Sequence, residues 1–310
     1  MLRALVPEVV GLIAEDPDCI VYEQDPREVV GYSSDEPLHG IGFYVPLYMG
    51  PANNLALITQ MRDLQVLQLP TIGFDHALPA VRELRASGSQ VVLCNATGVH
   101  EASTAELAIG LAIAMGRRID VAARDQLAHT WDHQRGSSLA NKRVLIIGAG
   151  GVGRCIAQRF TAFGCQTTMV ATTARDDIRG KADLPMLLPQ ADIVVIAVPH
   201  LPSTEGMVDA AFLAKLPDGA LLNNVARGPV VRTDALVAAL QVGRIRAALD
   251  VTDPEPLPVE HPLWDCPNLL ITPHVGGHTD AFPGLLGALV RDQLRAWRAG
   301  EPLRNVIAVR

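Results

Sequence analysis

Lysine is scarce in this 310-residue sequence, where it occurs only at positions 142, 181 and 215, and the formal net charge is -7. A nucleic-acid groove needs clustered cations that replace the counterions of phosphates, and the chain has no basic stretch with interleaved aromatic residues. The longest apolar run, residues 107–115, is far shorter than the roughly 20 residues of a membrane-spanning helix. The sequence therefore argues against nucleic-acid and membrane partners.

Cysteine pairs are also missing: the five cysteines (19, 94, 155, 165 and 266) are scattered and form no C-x-x-C motif. This pattern favours free thiols in a reducing compartment. No set of metal ligands with regular spacing occurs, so we expect no metal site. The N-terminus, MLRALVPEVVGLIAEDPD, places Pro7, Glu8 and Glu15 where a signal peptide would be apolar, and a cytoplasmic protein is expected.

What the chain does contain is two series of short strands that alternate with helices. In the first, VLQLP (66–70), PAVRELRASG (79–88) and QVVLCNA (90–96) predict a strand, a helix and a parallel strand. The second begins at NKRVLIIGAGGVG (141–153). It continues through five further β-rich runs: 167–171, 192–199, 219–226, 245–251 and 268–277. Both series predict doubly wound α/β domains.

Two helices are predicted around the second series. After Gly98, Ser103 and Glu106 match a capping box, and a mostly apolar stretch follows up to Arg117 and Arg118. A helix that is apolar on nearly all sides should be buried, so we interpret it as the bridge between two domains. Residues 283–300 predict an amphipathic helix that ends at a glycine.

The run Gly148-Ala149-Gly150-Gly151-Val152-Gly153 matches the pattern G-x-G-x-x-G. The pattern alone is weak, but here VLII precedes it as a strand and RCIAQRFTAFG follows it as a helix. In that context the glycines allow a tight turn and a close approach to a pyrophosphate at the helix N-terminus. We therefore predict dinucleotide binding.

The next strand ends in MVATTARDD (169–177), without the carboxylate that usually binds the ribose of NAD. Ala171 stands at the expected position, and Asp176 and Asp177 lie beyond it on a predicted solvated turn. Thr172, Thr173 and Arg175 offer the hydroxyl groups and the cation that suit a 2′-phosphate. The alternative is a polar surface turn with no role in specificity.

Three later segments end predicted strands, where open α/β sheets bind their ligands. Arg227 can clamp a carboxylate, Asp250, Asp253 and Glu255 lie in a proline-rich loop, and His274 precedes two glycines. Taken singly, a structural ion pair, a surface acidic turn and a structural histidine are the alternatives. Together they supply an anion clamp and a histidine with a carboxylate partner for proton exchange.

The chain resembles the D-isomer-specific 2-hydroxyacid dehydrogenase family over most of its length. The resemblance is carried by Trp131, HPLW (261–264) and the ordered segments 71–76, 95–119, 199–209, 223–240, 247–258 and 268–277. It implies a Rossmann domain (99–279) inserted in a smaller flavodoxin-like substrate domain (1–98 and 280–310), which the C-terminal helix completes. Family members are usually homodimers.

The resemblance also implies roles for individual residues. Arg227 would bind the substrate carboxylate, Glu255 would be the partner of His274, and His274 would be the acid/base. The backbone of Thr71, Ile72 and Gly73 would donate to the substrate. Asp250 would lie near the nicotinamide. The other residues expected at the cofactor are Thr104, Gly148, Gly150, Gly151, Val152, Gly153, Thr172, Thr173, Arg175, Pro199, Thr204, Val225, Ala226 and Gly277.

Two departures bear on cofactor and substrate. Ala171 replaces the ribose acid of most NAD-using relatives, as in NADPH-preferring glyoxylate and hydroxypyruvate reductases, so NADP or NAD is expected, with NADPH tolerated or preferred. The loop FYVPLYMGP (43–51) has no cation for a phosphate, because no Lys or Arg occurs between Arg27 and Arg62. Tyr44, Leu47, Tyr48 and Met49 instead suggest a small or apolar substituent, with core packing as the alternative.

These features predict an NAD(P)-dependent oxidoreductase that acts on small 2-keto and D-2-hydroxy acids. The main alternative is a dinucleotide-sensing binding protein of the same fold without physiological turnover. Phosphite oxidation is a further alternative, but the lysine of phosphite-oxidising relatives has no counterpart in QLPTIGFDH (68–76). Formate oxidation is another, and formate enzymes carry a glutamine where Glu255 stands.

Overall fold

The computed structural model describes residues 2–8, 19–23, 38–50 and 52–309. The chain divides into two compact units, Met1–His100 with Asp280–Arg310, and Glu101–Thr279. The second unit thus interrupts the first in sequence. Residues 9–18 of the segment compared with a signal peptide, Arg27, and Pro51 of the 43–51 loop lie outside the described residues.

The first unit contains a five-stranded parallel sheet in the order β2-β1-β3-β4-β5. Its strands are β1 (Arg3–Pro7), β2 (Cys19–Tyr22), β3 (Ile41–Tyr44), β4 (Val66–Gln68) and β5 (Val92–Cys94), and the described residues before the second unit also form the helices α1 (Ala52–Ala56) and α2 (Leu78–Ala86). β3 is buried at every residue, as expected for a parallel strand covered on both faces. The strand order is that of flavodoxin-like folds.

The second unit contains a seven-stranded sheet in the order β12-β11-β10-β9-β6-β7-β8. Its strands are β6 (Arg143–Ile147), β7 (Gln166–Ala171), β8 (Arg179–Gly180), β9 (Ile193–Ile196), β10 (Leu221–Asn224), β11 (Arg246–Leu249) and β12 (Leu269–Ile271). Its helices are α3 (Glu101–Arg117), α4 (Ile119–Leu127), α5 (Gly151–Ala162), α6 (Leu184–Leu187), α7 (Ala210–Ala214) and α8 (Thr233–Gln241). All paired neighbours are parallel, and the order reverses beside β6 as in Rossmann domains. The predicted fold class is confirmed.

The carboxyl ends of the central strands lie at one edge of this sheet. Ile147 at the end of β6 is in register with Ile196 at the end of β9, which in turn is in register with Asn224. Asn224 is in register with Leu249, and Leu249 with Ile271. Every loop that carries a predicted site residue after these strands therefore begins at the same edge.

The predicted capping box at the start of α3 is wrong. The helix begins at Glu101, so Ser103 lies in its first turn and not at the N-cap. The turn of residues 97–100, where Gly98 has φ +97°, sets this earlier start. The Glu101 carboxylate lies in the first turn of the helix, where its negative charge interacts favourably with the helix dipole. The α3 helix packs its alanines 105, 108 and 112 in one core with β6 and α5. Its role as a bridge between two domains stays a prediction.

The predicted C-terminal helix is α9 (Phe282–Ala299), which belongs to the first unit. It ends where Gly300 takes the left-handed conformation with φ +67°, a conformation that glycine adopts without steric cost. Leu286, Val290 and Leu294 on one face pack with Val6 and Phe43 of the sheet.

Candidate active site

His274 and Glu255 form a close pair at the carboxyl edge of the second sheet. His274 follows β12 and adopts φ +55°, and its Nδ1 lies 2.5 Å from Glu255 Oε1. Burial by itself raises the pKa of Glu255, but the hydrogen bond and charge of His274, a hydrogen bond from the Thr252 backbone and the charge of Arg227 together lower it below its ordinary value. An ionised Glu255 accepts from Nδ1–H, so Nε2 is the ring nitrogen available for proton exchange.

The loop that carries His274 is tied to Asp250, which is 2% exposed at the end of β11. Asp250 Oδ1 accepts from Thr272 Oγ1 at 2.6 Å and from Val275 N at 2.9 Å, and Oδ2 accepts from Gly276 N at 2.9 Å. The backbone oxygen of Asp250 also accepts from His274 N at 2.8 Å. Sequence reasoning missed this anchoring role. The position of Asp250 near the nicotinamide stays a prediction.

Two glycines allow the loops of the site to approach each other closely. A Cβ on Gly276 would lie 2.9 Å from Asp250 Oδ2, and a Cβ on Gly228 would lie 1.8 Å from the carbonyl oxygen of Thr252. A side chain at Gly228 would therefore separate the turn after Arg227 from the loop that leads to Glu255. The glycine directly after Arg227 is the signal in the sequence for this close approach.

Arg227 directly follows the turn at the end of β10. Asn224, fully buried at the strand end, shapes this turn: its Oδ1 accepts from Ala226 N at 3.1 Å and its Nδ2 donates to the Arg227 carbonyl at 3.1 Å. Arg227 Nη1 donates to the Ala226 carbonyl at 2.8 Å. The charge of Arg227 contributes to the lowered pKa of Glu255. The two asparagines that end β10, Asn223 and Asn224, were the signal for this turn.

The glycine motif forms the turn between β6 and α5. A Cβ on Gly148, which has φ +120°, would lie 2.1 Å from the Ala197 carbonyl oxygen, and a Cβ on Gly153 would lie 1.9 Å from the Gly148 carbonyl oxygen. Gly150 is the N-cap of α5, and no atom of the described residues lies within 4 Å of a Cβ built on it. Gly151 and Val152 open the helix. This tight turn with open space at a helix N-terminus fits the pyrophosphate of a dinucleotide.

The strand tip after β7 is exposed. β7 ends at Ala171, and the side chains of Thr172, Thr173 and Arg175 are all exposed. The backbone N–H of Arg175 donates to Ile178 O at 3.0 Å, and Ile178 N donates back to Arg175 O at 2.8 Å. Asp176 and Asp177 are exposed on this turn, as predicted.

Further residues expected at the cofactor occur along the same unit. Thr104 on α3 is buried, and a Cβ on Gly276 would meet its Cγ2 at 3.5 Å. Thr204 Oγ1 donates to the Pro199 carbonyl at 2.7 Å and so shapes the loop after β9. Val225 and Ala226 are buried in the turn before Arg227, and Gly277 ends the His274 loop. That these residues hold the cofactor stays a prediction.

The predicted substrate turn, Thr71-Ile72-Gly73, follows β4 in the first unit. Asn95 Nδ2 donates to Ile72 O at 2.8 Å, and Ala96 N donates to Thr71 O at 2.9 Å, so the carbonyl groups of the turn are held. Within the described part of the chain, the backbone N–H groups of Ile72 and Gly73 donate to no protein acceptor. They are the kind of donors that a carboxylate accepts from.

The aromatic residues of the 43–50 loop have different environments. The Tyr48 ring lies 5.4 Å from that of His100 and 4.4 Å from that of Phe282. Tyr44 is the last residue of β3, is fully buried and donates from its hydroxyl to Asn54 O at 2.8 Å, so the alternative of core packing applies to it. Leu47 packs against the same core, whereas Met49 is 62% exposed.

Comparison with known proteins identifies the class that this fold and site define. The profile of the D-isomer specific 2-hydroxyacid dehydrogenase NAD binding domain matches residues 109–276, more than half of the chain. The human glyoxylate reductase/hydroxypyruvate reductase is 32% identical over 302 residues, which cover 89% of each chain. The chain belongs to the D-isomer specific 2-hydroxyacid dehydrogenase family.

Two solved structures match the whole chain. A D-isomer specific 2-hydroxyacid dehydrogenase from Xanthobacter autotrophicus Py2, in complex with NADPH and MES, is 26% identical with a TM-score of 0.81 over 100% of this chain and 99% of its own. An NADPH-dependent glyoxylate/hydroxypyruvate reductase from Sinorhizobium meliloti, in complex with NADP and malonate, is 26% identical with a TM-score of 0.80 over 99% and 97%.

Membership of this family makes the chain an oxidoreductase that transfers a hydride between a nicotinamide dinucleotide and a small 2-keto or 2-hydroxy acid. The alternative of a binding protein without turnover is not favoured. All five cysteines are free thiols. In the described ranges, no helix has the length and apolar character needed to span a bilayer, and no cluster of three or more His, Cys, Asp or Glu could hold a metal ion.

Proposed function

We propose that this protein reduces small 2-keto acids, of the size of glyoxylate or hydroxypyruvate, to D-2-hydroxy acids with NADPH or NADH. The observation that carries the proposal is the 2.5 Å contact between His274 Nδ1 and Glu255 Oε1, to which the charge of Arg227 adds by lowering the pKa of Glu255. The names of the human and Sinorhizobium meliloti relatives support the choice of substrate.

Each residue of this group has a distinct task in the reducing direction. Arg227 binds the substrate carboxylate and polarises the adjacent carbonyl through its guanidinium. Protonated His274 gives a proton from Nε2 to the carbonyl oxygen, while Glu255 holds the ring and stabilises its charge. When bound, the nicotinamide supplies the hydride that reduces C2. In the oxidising direction His274 takes the proton from the hydroxyl group.

Features of the first unit support a small substrate without a phosphate. The backbone N–H groups of Ile72 and Gly73 are available to a carboxylate, and the described part of the 43–50 loop contains no Lys or Arg. Tyr48, held against His100 and Phe282, is the aromatic residue we assign to the substrate side of this loop.

The strand tip supports use of NADPH. Ala171 ends β7 where an acid would repel a 2′-phosphate, and Thr172, Thr173 and Arg175 are exposed beside it. The relatives crystallised with NADPH and NADP agree with this choice. We also propose a cytoplasmic homodimer, the assembly usual in the family, and the five free thiols support a reducing compartment.

The test is a panel of glyoxylate, hydroxypyruvate, pyruvate and a bulkier 2-keto acid, each assayed with NADPH and with NADH. We expect the highest kcat/KM for the smallest acids and turnover with NADPH at least equal to that with NADH. A protein that binds NADPH but oxidises it with none of these acids would support the binding-protein alternative.

The role of Arg227 makes a separate prediction. Arg227→Ala should raise KM for the 2-keto acid about 10- to 100-fold, because a charge-assisted hydrogen bond is worth roughly 1.5–3 kcal/mol. Arg232→Ala is the matched control, since Arg232 is an exposed arginine whose Nε lies 3.5 Å from Asp234 Oδ1. If KM and kcat of Arg227→Ala equal those of the control, Arg227 does not bind the substrate.

A further inference from the structure

A cavity of about 320 Å³ in the second unit is lined by four arginines and one acid. Arg118, Arg124, Arg135 and Arg246, which we call the arginine pocket, surround it together with Asp120. The lining carries a formal excess of three positive charges, although the whole chain has a net charge of -7. A local excess of cations in an acidic protein requires an explanation.

The arginine pocket is distant from the candidate active site. Arg246 is the first residue of β11, whereas Asp250 follows the last residue of the same strand. Four residue steps along a strand span about 13 Å, at roughly 3.3 Å for each residue. Asn268, which also lines the cavity, precedes β12. The pocket therefore opens at the amino edge of the sheet, opposite the edge that carries His274.

The acid in the lining does not neutralise the arginines. Arg124 Nη2 lies 2.8 Å from Asp120 Oδ2, so Asp120 is paired with one of the four. Among the residues that the structure describes, Arg118, Arg135 and Arg246 form no ion pair within 4.0 Å. A carboxylate or phosphate would supply the missing counter-charge.

One of these arginines is held in place by the fold, and a second has a buried nitrogen without a partner among the described residues. Arg246 donates from Nε to the Gly219 carbonyl and from Nη1 to the Met115 carbonyl, at 3.1 Å each. Burial lowers the pKa of Arg246, and the neighbouring charge of Arg118 lowers it further against the opposite effect of Asp120. The Nε of Arg118 is buried, and within the described part of the chain it has no hydrogen-bond partner.

We propose that the arginine pocket binds a small oxyanion of charge two or more, such as a phosphate compound or a polycarboxylate. Guanidinium groups bind both kinds of anion through pairs of parallel hydrogen bonds, and the cavity is of the size that holds a small molecule. The bound anion lies against the charges of the lining residues Arg118, Arg135 and Arg246. This site is separate from the site of hydride transfer.

Isothermal titration of the full-length protein with inorganic phosphate, and in a second series with citrate, tests the site. The test variant is Arg118→Gln/Arg135→Gln, and the control is Arg117→Gln, which makes a single change of the same type at an exposed neighbour outside the cavity lining. Arg227 is intact in all three proteins, so anion binding in the candidate active site is common to them. We expect Kd for at least one anion to rise tenfold or more in the double variant and to stay unchanged in Arg117→Gln.

Turnover without added anion should be equal in the three proteins, which shows that the double variant is folded. Arg135→Gln alone is the second variant if the double variant is unstable, because Arg135 is exposed, and it should still raise Kd severalfold. Equal Kd values in all proteins would overturn the proposal. So would an equal rise in Arg117→Gln, since net charge alone would then explain binding. The proposal would also be overturned if the wild-type protein bound neither anion. If the oligomeric state then changed in the double variant, the pocket would bind a carboxylate of a second copy of the chain.

Discussion

The two ends of the second sheet's carboxyl edge differ in how firmly their side chains are held. At the β11–β12 end, three donors of the 272–276 loop bind the buried carboxylate of Asp250, and His274 contacts Glu255 at 2.5 Å. At the β7 end, Thr172, Thr173 and Arg175 are exposed. Within the described residues, Arg175 forms hydrogen bonds through its backbone, with Ile178.

This difference indicates what each end can tolerate. The geometry of the acid/base group depends on several mutual contacts, so one substitution there disturbs its neighbours as well. The strand tip depends on which side chains it presents to solvent, so a substitution there changes preference and leaves the fold intact. Substitutions at the two ends should therefore differ in size and in the parameter that they change.

The greatest loss should come from His274→Gln. Glutamine retains hydrogen bonding but cannot exchange a proton, so kcat should fall about 100-fold or more, the usual scale of general acid catalysis. Steady-state kinetics at saturating 2-keto acid measure the loss. His133→Gln, which replaces an exposed histidine outside the site, is the control and should leave kcat unchanged. Near-normal kcat in His274→Gln would show that another group supplies the proton.

Asp250→Asn tests whether the anchor of the His274 loop matters for turnover. The amide would place an N–H group where the carboxylate accepts from a backbone N–H, so the 272–276 loop should be held less firmly. Because a hydrogen bond to a charged group is worth roughly 1.5–3 kcal/mol, kcat should fall about tenfold. The unfolding free energy should fall by a similar amount. The pH profile of kcat separates positioning from a purely structural effect, because its acid–base limbs should shift when the His274–Glu255 geometry changes.

Asp209→Asn is the matched control for Asp250→Asn. Asp209 also accepts from a backbone N–H, that of Phe212 at 2.8 Å, at the N-terminus of α7. We expect this control to lose stability without a shift in the pH profile. The same pH profile in wild type and Asp250→Asn would remove Asp250 from the positioning of His274.

Glu255 gives the acid/base end its own pH dependence. Its pKa in the folded protein lies below the usual value of about 4.5, so its ionised form stabilises the fold above that pH. This contribution is lost as the pH falls through the lowered pKa, and Glu255→Gln lacks it at every pH. The difference in Tm between wild type and Glu255→Gln should shrink on acidification below about 4.5. A constant difference down to low pH would contradict the pairing.

The sequence was sufficient to predict the fold because its signals are local. Buried strands, the glycine turn at residues 148–153 and the helix that ends at Gly300 each follow from a few adjacent residues. The prediction of a capping box was wrong because the start of the helix is set by the turn at Gly98 and not by Ser103. Tyr44 was assigned to a loop, but it is the buried last residue of β3, and its burial depends on contacts outside that segment, such as the one with the Asn54 carbonyl.

The site was predicted in part for the same reason. Arg227, Glu255 and His274 each follow a strand that can be recognised in the sequence. Because parallel strands end at the same edge of a sheet, the sequence predicts that these residues lie on one side. The carboxylate of Asp250 binding the loop after β12 and the fit of Gly228 against Thr252 are contacts between strands, so no short stretch of sequence reports them.

The smallest effect should come from Arg175→Ala at the strand tip. An exposed ion pair is screened by solvent, so KM for NADPH should rise only about threefold while KM for NADH stays unchanged. Arg179→Ala, which removes another exposed cation four residues further on, is the control and should change neither value. Because no hydrogen bond among the described residues ties the side chains of the tip to another loop of the site, kcat should be equal in all three proteins. An unchanged KM for NADPH would leave the loss of the acid at Ala171 as the reason for tolerance of the 2′-phosphate.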